Sequence, residues 1–261
     1  MINILGRDIP LYGLCWIIGI TLAFIVALFL LKRAGLDAFD LACSAVFVLG
    51  GVVIGAKLLF IIVSLPTIIE LKLSLLEIIS GGFVFYGGLI GGALGLLLYT
   101  KMFKVELLKI VDVYAAVIPL GHACGRVGCF LGGCCYGMEY DGPLSYTYGE
   151  GVLNANTPIG VPLLPVQLFE AASLLILFVP MLIVYFKKKP NQTGICGAIY
   201  LYAYAVIRFV LEYFRGDKER GSLFAFSTSQ IISILIIAFV TIFIFMVRKK
   251  NKAKAQAPAE E

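Results

Sequence analysis

Apolar residues run in long, unbroken stretches along this chain, and the stretches do not alternate in and out as barrel strands would. "LCWIIGITLAFIVALFLL" at 14–31 and "IISILIIAFVTIFIFMV" at 231–247 are typical. A run of 18 or more apolar residues is long enough to cross a bilayer as a helix. The pattern predicts seven such helices, at about 12–31, 40–64, 82–100, 108–127, 165–186, 194–214 and 227–247. The fourth is the least regular, because Asp112, Pro119, His122 and Arg126 interrupt it. A stretch near 138–164, rich in Gly, Pro, Asn and Tyr, is too polar to be a span.

Composition agrees with this pattern. The 261 residues are 61% hydrophobic and 14% charged, with a mean hydropathy of +0.99, whereas soluble domains are about one quarter charged. The fold class expected is an all-α, polytopic integral membrane protein. One transmembrane domain is expected over 1–250, followed by a polar, disordered tail over 251–261. The opening MINILGRDIP has neither a basic n-region nor a small-residue cleavage site, so no removable signal peptide is expected.

Charge sets the orientation. Lys32 and Arg33 follow the first span, Lys101, Lys104 and Lys109 the third, Lys187 to Lys189 the fifth, and Arg248 to Lys254 the seventh. Arg7, Lys72, Arg215, Lys218 and Arg220 fall on the other side. The heavier side is expected to be cytoplasmic, with the N-terminus outside and the C-terminus inside. The net charge of +5 then reflects topology and attraction to anionic lipid. With no base-stacking or groove-reading motif, nucleic acid is not an expected partner.

Ionisable groups inside a bilayer are costly and point to function. Tyr200, Tyr204, Arg208 and Glu212 recur every four residues and form one polar stripe on a helix. The stripe reads either as a self-neutralising Arg–Glu pair or as a cavity wall offering Arg208 to a phosphate, which a planar guanidinium binds at two oxygens. Arg126 lies among Gly125, Gly128, Gly132 and Gly133. Those glycines fit a broken helix lining a cavity, or small-residue helix packing with a snorkelling arginine. Lys57 is expected to face a cavity, Asp112 to cap the fourth span, and Glu170 either to line a cavity or to serve structure. "GGFVFYGGLIGG" at 81–92 reads first as helix-packing glycines, which would also bring Tyr86 close to any ligand between helices.

Four of the seven cysteines fall in "HACGRVGCFLGGCCYG" at 122–137. Their gaps do not match C-x2-C pairs, so no metal site is expected. Cys15, Cys43 and Cys196 read as small core residues. The adjacent Cys134 and Cys135 have three readings: oxidation, capture of a thiophilic species, or packing.

Taken in order, "LYGL" at 11–14, "GAK" at 55–57, "GGFVFYGGLIG" at 81–91, "GRVGCFLGGCCYG" at 125–137, "PVQLFE" at 165–170 and "AVIRFVLEYFRGD" at 205–217 resemble the blocks of the bacterial prolipoprotein diacylglyceryl transferases. That family's signature runs approximately G-R-x-G-N-F-x-N-x-E-x-x-G. Here Cys129 and Gly132 replace its asparagines, and Cys134 replaces its glutamate. Tyr86 stands at a usual histidine, Lys57 at a usual arginine, and Leu164 where a histidine usually precedes the proline.

The resemblance implies a multi-pass protein of the bacterial cytoplasmic membrane. Its implied reaction transfers the diacylglyceryl group of phosphatidylglycerol to the lipobox cysteine in a lipoprotein precursor signal peptide. A thioether forms and glycerol phosphate leaves, with no metal or cofactor. Arg126 and Arg208 would hold the phosphate, with Lys57 assisting and Glu212 orienting Arg208. Tyr12 and Tyr204 would hydrogen-bond lipid, and Gly125, Gly128, Cys129, Cys134, Gln167 and Glu170 would line the substrate site. A tyrosine ionises too far above neutrality to act as a base without a cation beside it. His122, four residues before Arg126, is therefore the substitute base for Tyr86. Two other readings stand: a membrane transferase using Cys129 and Cys134 on another lipid or thiol acceptor, and a transporter of a small sulfur compound. The chain lacks the internal repeat that transporters often show.

Overall fold

The computed structural model describes residues 2–4, 7–9, 11–189, 192–216, 222–223 and 226–256. Asp217, Lys218, Arg220 and the last five residues of the expected tail, 257–261, lie outside the described residues. Nine helices and six short strands follow in chain order among the described residues. The strands form antiparallel hairpins: β1 (Ile2–Ile4) with β2 (Arg7–Ile9), β3 (Tyr146–Thr147) with β4 (Pro162–Leu163), and β5 (Ser222–Leu223) with β6 (Phe226–Ser227).

Five helices are long and apolar enough to cross a membrane: α1 (Leu11–Ala34), α2 (Ala38–Val63), α6 (Leu107–Gly132), α7 (Val166–Lys187) and α8 (Ile195–Glu212). α5 (Phe85–Phe103) and α9 (Thr228–Gln256) cover the other two expected spans, and α9 contributes a shorter apolar stretch, Thr228–Ile242. Two short helices that the apolar pattern did not mark, α3 (Leu65–Glu70) and α4 (Leu75–Ser80), lie between α2 and α5. α9 also continues as helix through 251–256, into the segment expected to be a disordered tail. Large apolar side chains such as Phe29, Ile54, Ile176 and Phe239 point outward. An apolar exterior of this kind is suited to hydrocarbon, not to water.

The chain forms two compact units, one of residues Leu28–Val111 and one of Met1–Ala27 with Asp112–Glu261. In the Leu28–Val111 unit, Asp37 and Asp40 cap the start of α2 reciprocally, each side chain accepting from the other's backbone N–H. α2 and α5 then pack backbone to backbone, as the glycine pattern predicts. A Cβ on Gly91 would lie 2.1 Å from the Gly51 carbonyl oxygen, and one on Gly55 would lie 2.3 Å from that of Gly87. Only glycine fits such a crossing. Lys57, expected to face a cavity, instead donates to the carbonyls of Gly81 (2.8 Å), Gly82 (3.0 Å) and Ile78 (3.4 Å), with its ammonium over the Phe83 ring. It ties the loop before α5 to α2.

In the other unit, α6 corrects the expectation of a glycine-rich break. It is one continuous helix through Pro119 and on to Gly132. The glycines there serve packing: Gly125 receives the Trp16 ring, and Gly128 receives Cys15 and the Tyr12 backbone. α1 and α6 meet through small residues, so the continuous helix loses nothing by their lack of side chains.

Asp112 is likewise not the cap of its own helix. It lies one turn inside α6, fully buried, and its carboxylate caps α8. It accepts from the N–H groups of Gly194 (2.8 Å), Cys196 (2.9 Å) and Gly197 (3.3 Å) and pairs with the Lys188 ammonium. The unsatisfied N–H groups and positive dipole end of a helix suit a buried carboxylate.

Two outcomes follow from this packing. Gly91→Ala should cost about 1–3 kcal/mol through overpacking, read as a lower unfolding midpoint in detergent. Gly50→Ala, with nothing within 4 Å of the new Cβ, should leave the midpoint unchanged. Asp112→Ala leaves the Lys188 ammonium and three N–H groups without their acceptor. It should cost about 3–5 kcal/mol, as breaking a buried ion pair does, measured the same way.

Candidate functional site

The polar stripe of α8 faces the charged residues of α6 and α7. Its residues stand four apart, and its rings stack: Tyr200 and Tyr204 lie 6.0 Å apart and 12° from parallel. Pro165 precedes α7 and starts it, which places Gln167 and Glu170 on the first turns. Glu170 is fully buried. Its Oε1 lies 3.0 Å from Arg126 Nε, accepts the Tyr204 hydroxyl at 3.0 Å and stands 3.9 Å from His122 Nε2. His122 also meets the Tyr200 hydroxyl at 3.5 Å and the Tyr204 ring at 4.9 Å between centroids. One carboxylate therefore joins α6, α7 and α8.

One turn further along α8, Arg208 Nη2 pairs with Glu212 at 2.6 Å and donates to Ser229 Oγ at 3.1 Å. Arg215 Nε stands 4.0 Å from the same Glu212 oxygen. Hydrogen-bonding capacity is left over on the Arg208 guanidinium. Arg208 Nη1 is buried with no hydrogen-bond partner, and Arg126 Nε, although close to Glu170, has no well-aligned one. A buried donor left unsatisfied costs about 1–3 kcal/mol, so such atoms call for an acceptor. A phosphate oxygen is an acceptor of the right kind.

Below Arg126, α6 ends at Gly132 and the chain turns sharply. Gly133 (φ +77°) and Cys135 (φ +62°) both take the left-handed conformation. A Cβ on Gly133 would lie 2.2 Å from Val152, so glycine is required there on two counts. The loop after it folds back over the turn. Thr157 Oγ1 donates to the Gly133 carbonyl at 2.9 Å, and Asn154 N to that of Gly132 at 3.2 Å. Tyr148 donates to the Phe130 carbonyl at 3.1 Å. Burial pushes the Tyr148 hydroxyl up to about 12, so it remains a donor at any ordinary pH. Gln167 Nε2 donates to the Cys134 carbonyl at 2.8 Å. The Sγ atoms of Cys129, Cys134 and Cys135 lie within 4.8 Å of one another, although their spacing in sequence predicts no cluster. All seven cysteines are free of disulfides.

The structure thus brings Arg126, His122, Glu170 and Tyr204 together as one network, with the Arg208–Glu212 pair one turn further along α8. Cys129, Cys134 and Gln167 lie at its end, and Tyr12, on α1, is within electrostatic reach of the three sulfurs. Lys57 and Tyr86 belong to the other compact unit. Sequence reasoning missed Tyr148, Thr157 and Ser229, single polar residues without a motif. It also gave no site role to Arg215, although "EYFRGD" places that residue one turn beyond Glu212. Met138, Tyr140, Leu164, Phe169, Leu211 and Phe214 line a separate apolar recess outside the polar network.

Comparison with known proteins bears on this arrangement. A family model described as prolipoprotein diacylglyceryl transferase matches residues 1–246. A phosphatidylglycerol–prolipoprotein diacylglyceryl transferase of Clostridium tetani is 32% identical over 240 residues, covering 91% of this chain and 92% of the relative. A second protein of that name from Clostridium perfringens is 32% identical, with 90% of each chain covered. One from Rhizobium meliloti is 30% identical, covering 81% of this chain and 78% of its own. The match spans every element of the polar network, and the chain belongs to the prolipoprotein diacylglyceryl transferase family.

Proposed function

We propose that the chain transfers the diacylglyceryl group of phosphatidylglycerol to the cysteine thiol of a lipoprotein precursor, forming a thioether and releasing glycerol phosphate. The observation that carries this reading is the pair of buried arginines one above the other along the polar face: Arg126, held by Glu170, and Arg208, held by Glu212 with its Nη1 donor unused. A phosphodiester bound between them would satisfy that donor. It would also meet its strongest stabilisation as the leaving phosphate gains charge.

The other residues take roles that fit their contacts. Glu170 and Glu212 hold the two guanidiniums in place. Tyr204 orients Glu170 and offers its hydroxyl to the phosphate side. Gln167 fixes the cysteine turn through the Cys134 carbonyl. His122 is the nitrogen base of the network and receives the proton of the acceptor thiol. Gly125 and Gly128 set the distance between α1 and α6, which places Tyr12 beside the site. Lys57 fixes the loop that leads to Tyr86 within its own unit.

The same reading places the protein in the bacterial cytoplasmic membrane with seven spans, N-terminus outside and C-terminus inside. A reporter fused after α9 and active only in the cytoplasm should therefore be active. One that functions only outside would reverse the orientation.

The enzymatic test uses purified protein, phosphatidylglycerol and a lipobox peptide, with the diacylglyceryl adduct read by mass spectrometry. Wild-type protein should form the adduct. Arg126→Ala and Arg208→Ala should each slow it by about 10²–10³, the usual effect of removing one transition-state donor, in protein that still elutes as a folded species. No adduct from folded wild-type protein would overturn the reading.

A further inference from the structure

We propose that Cys129, Cys134 and Cys135 bind one zinc ion and leave its fourth coordination position open to the acceptor thiol. This rests on the transferase reading above, because it assigns the metal a place in that reaction.

The geometry of the sulfurs comes first. All three Sγ atoms lie within 4.8 Å of one another. Sulfurs bound to one tetrahedral zinc at 2.3 Å stand about 3.8 Å apart, a separation that side-chain torsions can reach. Among the described residues no fourth His, Cys, Asp or Glu joins the group. Structural zinc sites are closed by four protein ligands, whereas catalytic sites carry three and keep one position open. A three-sulfur set belongs to the second kind.

The backbone is the second, independent observation. Cys135 is a non-glycine residue in the left-handed region, and Gly133 two residues earlier is left-handed as well. Strained residues persist where surrounding structure holds them, and they concentrate at functional sites. Here Thr157, Asn154 and Gln167 hold the turn through its carbonyls. The turn folds Cys134 and Cys135 back onto Cys129, with Cys134 N donating to the Cys129 carbonyl at 3.1 Å.

Charge agrees as well. Three thiolates and one Zn²⁺ carry a net charge of −1. Arg126 and Arg215 both lie within interaction range of these sulfurs. Softness selects the ion: thiolates favour zinc or Cu⁺ over harder divalent cations.

The open position has a chemical use. Cys129 follows Arg126 by three residues on α6, so the metal lies beside the proposed phosphate-binding cation. A thiol that coordinates zinc is deprotonated outright. The acceptor S–H bond would break with its proton passing through water to His122, and the zinc-bound thiolate would attack the diacylglyceryl CH₂. A C–S bond would form as the bond from that carbon to the phosphate ester oxygen breaks, and glycerol phosphate would leave with that electron pair. His122 stands seven residues before Cys129, about 10 Å along the helix. Zinc lets the proton reach His122 through water, without direct contact between the imidazole and the sulfur.

The test uses full-length reduced protein, stripped with a chelator and titrated with Co²⁺. One equivalent should bind, with the sulfur-to-cobalt absorption of three thiolates and tetrahedral d–d bands. Cys129→Ser and Cys135→Ser should each weaken that absorption. In wild-type protein, zinc should protect three thiols from a maleimide, a readout that needs no variant. A lipobox peptide should shift the d–d bands, and the same peptide with Ser for Cys should not. Chelation should slow adduct formation by about a hundredfold, the scale of proton-transfer catalysis, with zinc restoring it.

Failure to bind Co²⁺ or Zn²⁺ stoichiometrically would overturn the proposal. So would binding of Cu⁺ alone, identical spectra with both peptides, or an undiminished adduct rate in metal-free protein. No adduct with or without zinc, alongside a peptide-thiol-dependent cobalt spectrum, would remove the diacylglyceryl reading and leave the thiol-binding zinc site standing.

Discussion

Glu170 is the carboxylate on which the polar interior depends. It has no contact with solvent, and its partners come from two other helices: Arg126 and His122 from α6, and Tyr204 from α8. A charge buried in a bilayer is tolerable only when it is paired. The pairing works in both directions, because Arg126 is equally costly without Glu170. The helices are therefore bound by complementary charge where apolar contact alone would not distinguish one rotation from another. Rotating α7 about its axis would separate the pair, so the register of three helices follows from one ion pair. Arg208 and Glu212 repeat the device one turn away, leaving guanidinium donors unused.

A second constraint comes from the end of α6. The glycines along that helix allow α1 to approach, and the two left-handed residues after it allow the chain to reverse within a few residues. In the family signature the positions now held by Cys129 and Cys134 carry an asparagine and a glutamate. Carboxamides and carboxylates direct hydrogen bonds, whereas thiols bond weakly and coordinate soft metals strongly. The replacement changes the kind of chemistry available without changing the frame, because Gln167, Tyr148 and Thr157 hold the turn by its backbone and not by those side chains.

How much of this could be read from sequence differs by feature. The apolar runs located the long helices because hydrocarbon permits little else. The stripe at 200, 204, 208 and 212 was visible because a four-residue repeat of polar groups on an apolar helix has one geometric meaning. The glycines at 87–92 announced close packing for the same reason. Asp112 was misplaced because its partners, Gly194, Cys196 and Lys188, lie about 80 residues away, and no local pattern marks them. The glycines of α6 admitted two readings, a broken helix or small-residue packing, and packing against α1 is the one that the structure shows. The sulfur cluster was hidden by its spacing. A left-handed turn brings together cysteines that a helix or a zinc-ribbon loop would have kept apart.

The distribution of charge partners along the chain bears on how the protein is made. α6 carries Asp112, His122 and Arg126, and it is synthesised before any of the groups that neutralise them: Glu170 on α7, Lys188 beyond it, and the start of α8. A nascent α6 alone would present an uncompensated acid near one end and an uncompensated base near the other. A helix with such groups unpaired is costly in lipid. The groups that offset the charges of α6 thus all come from later in the chain.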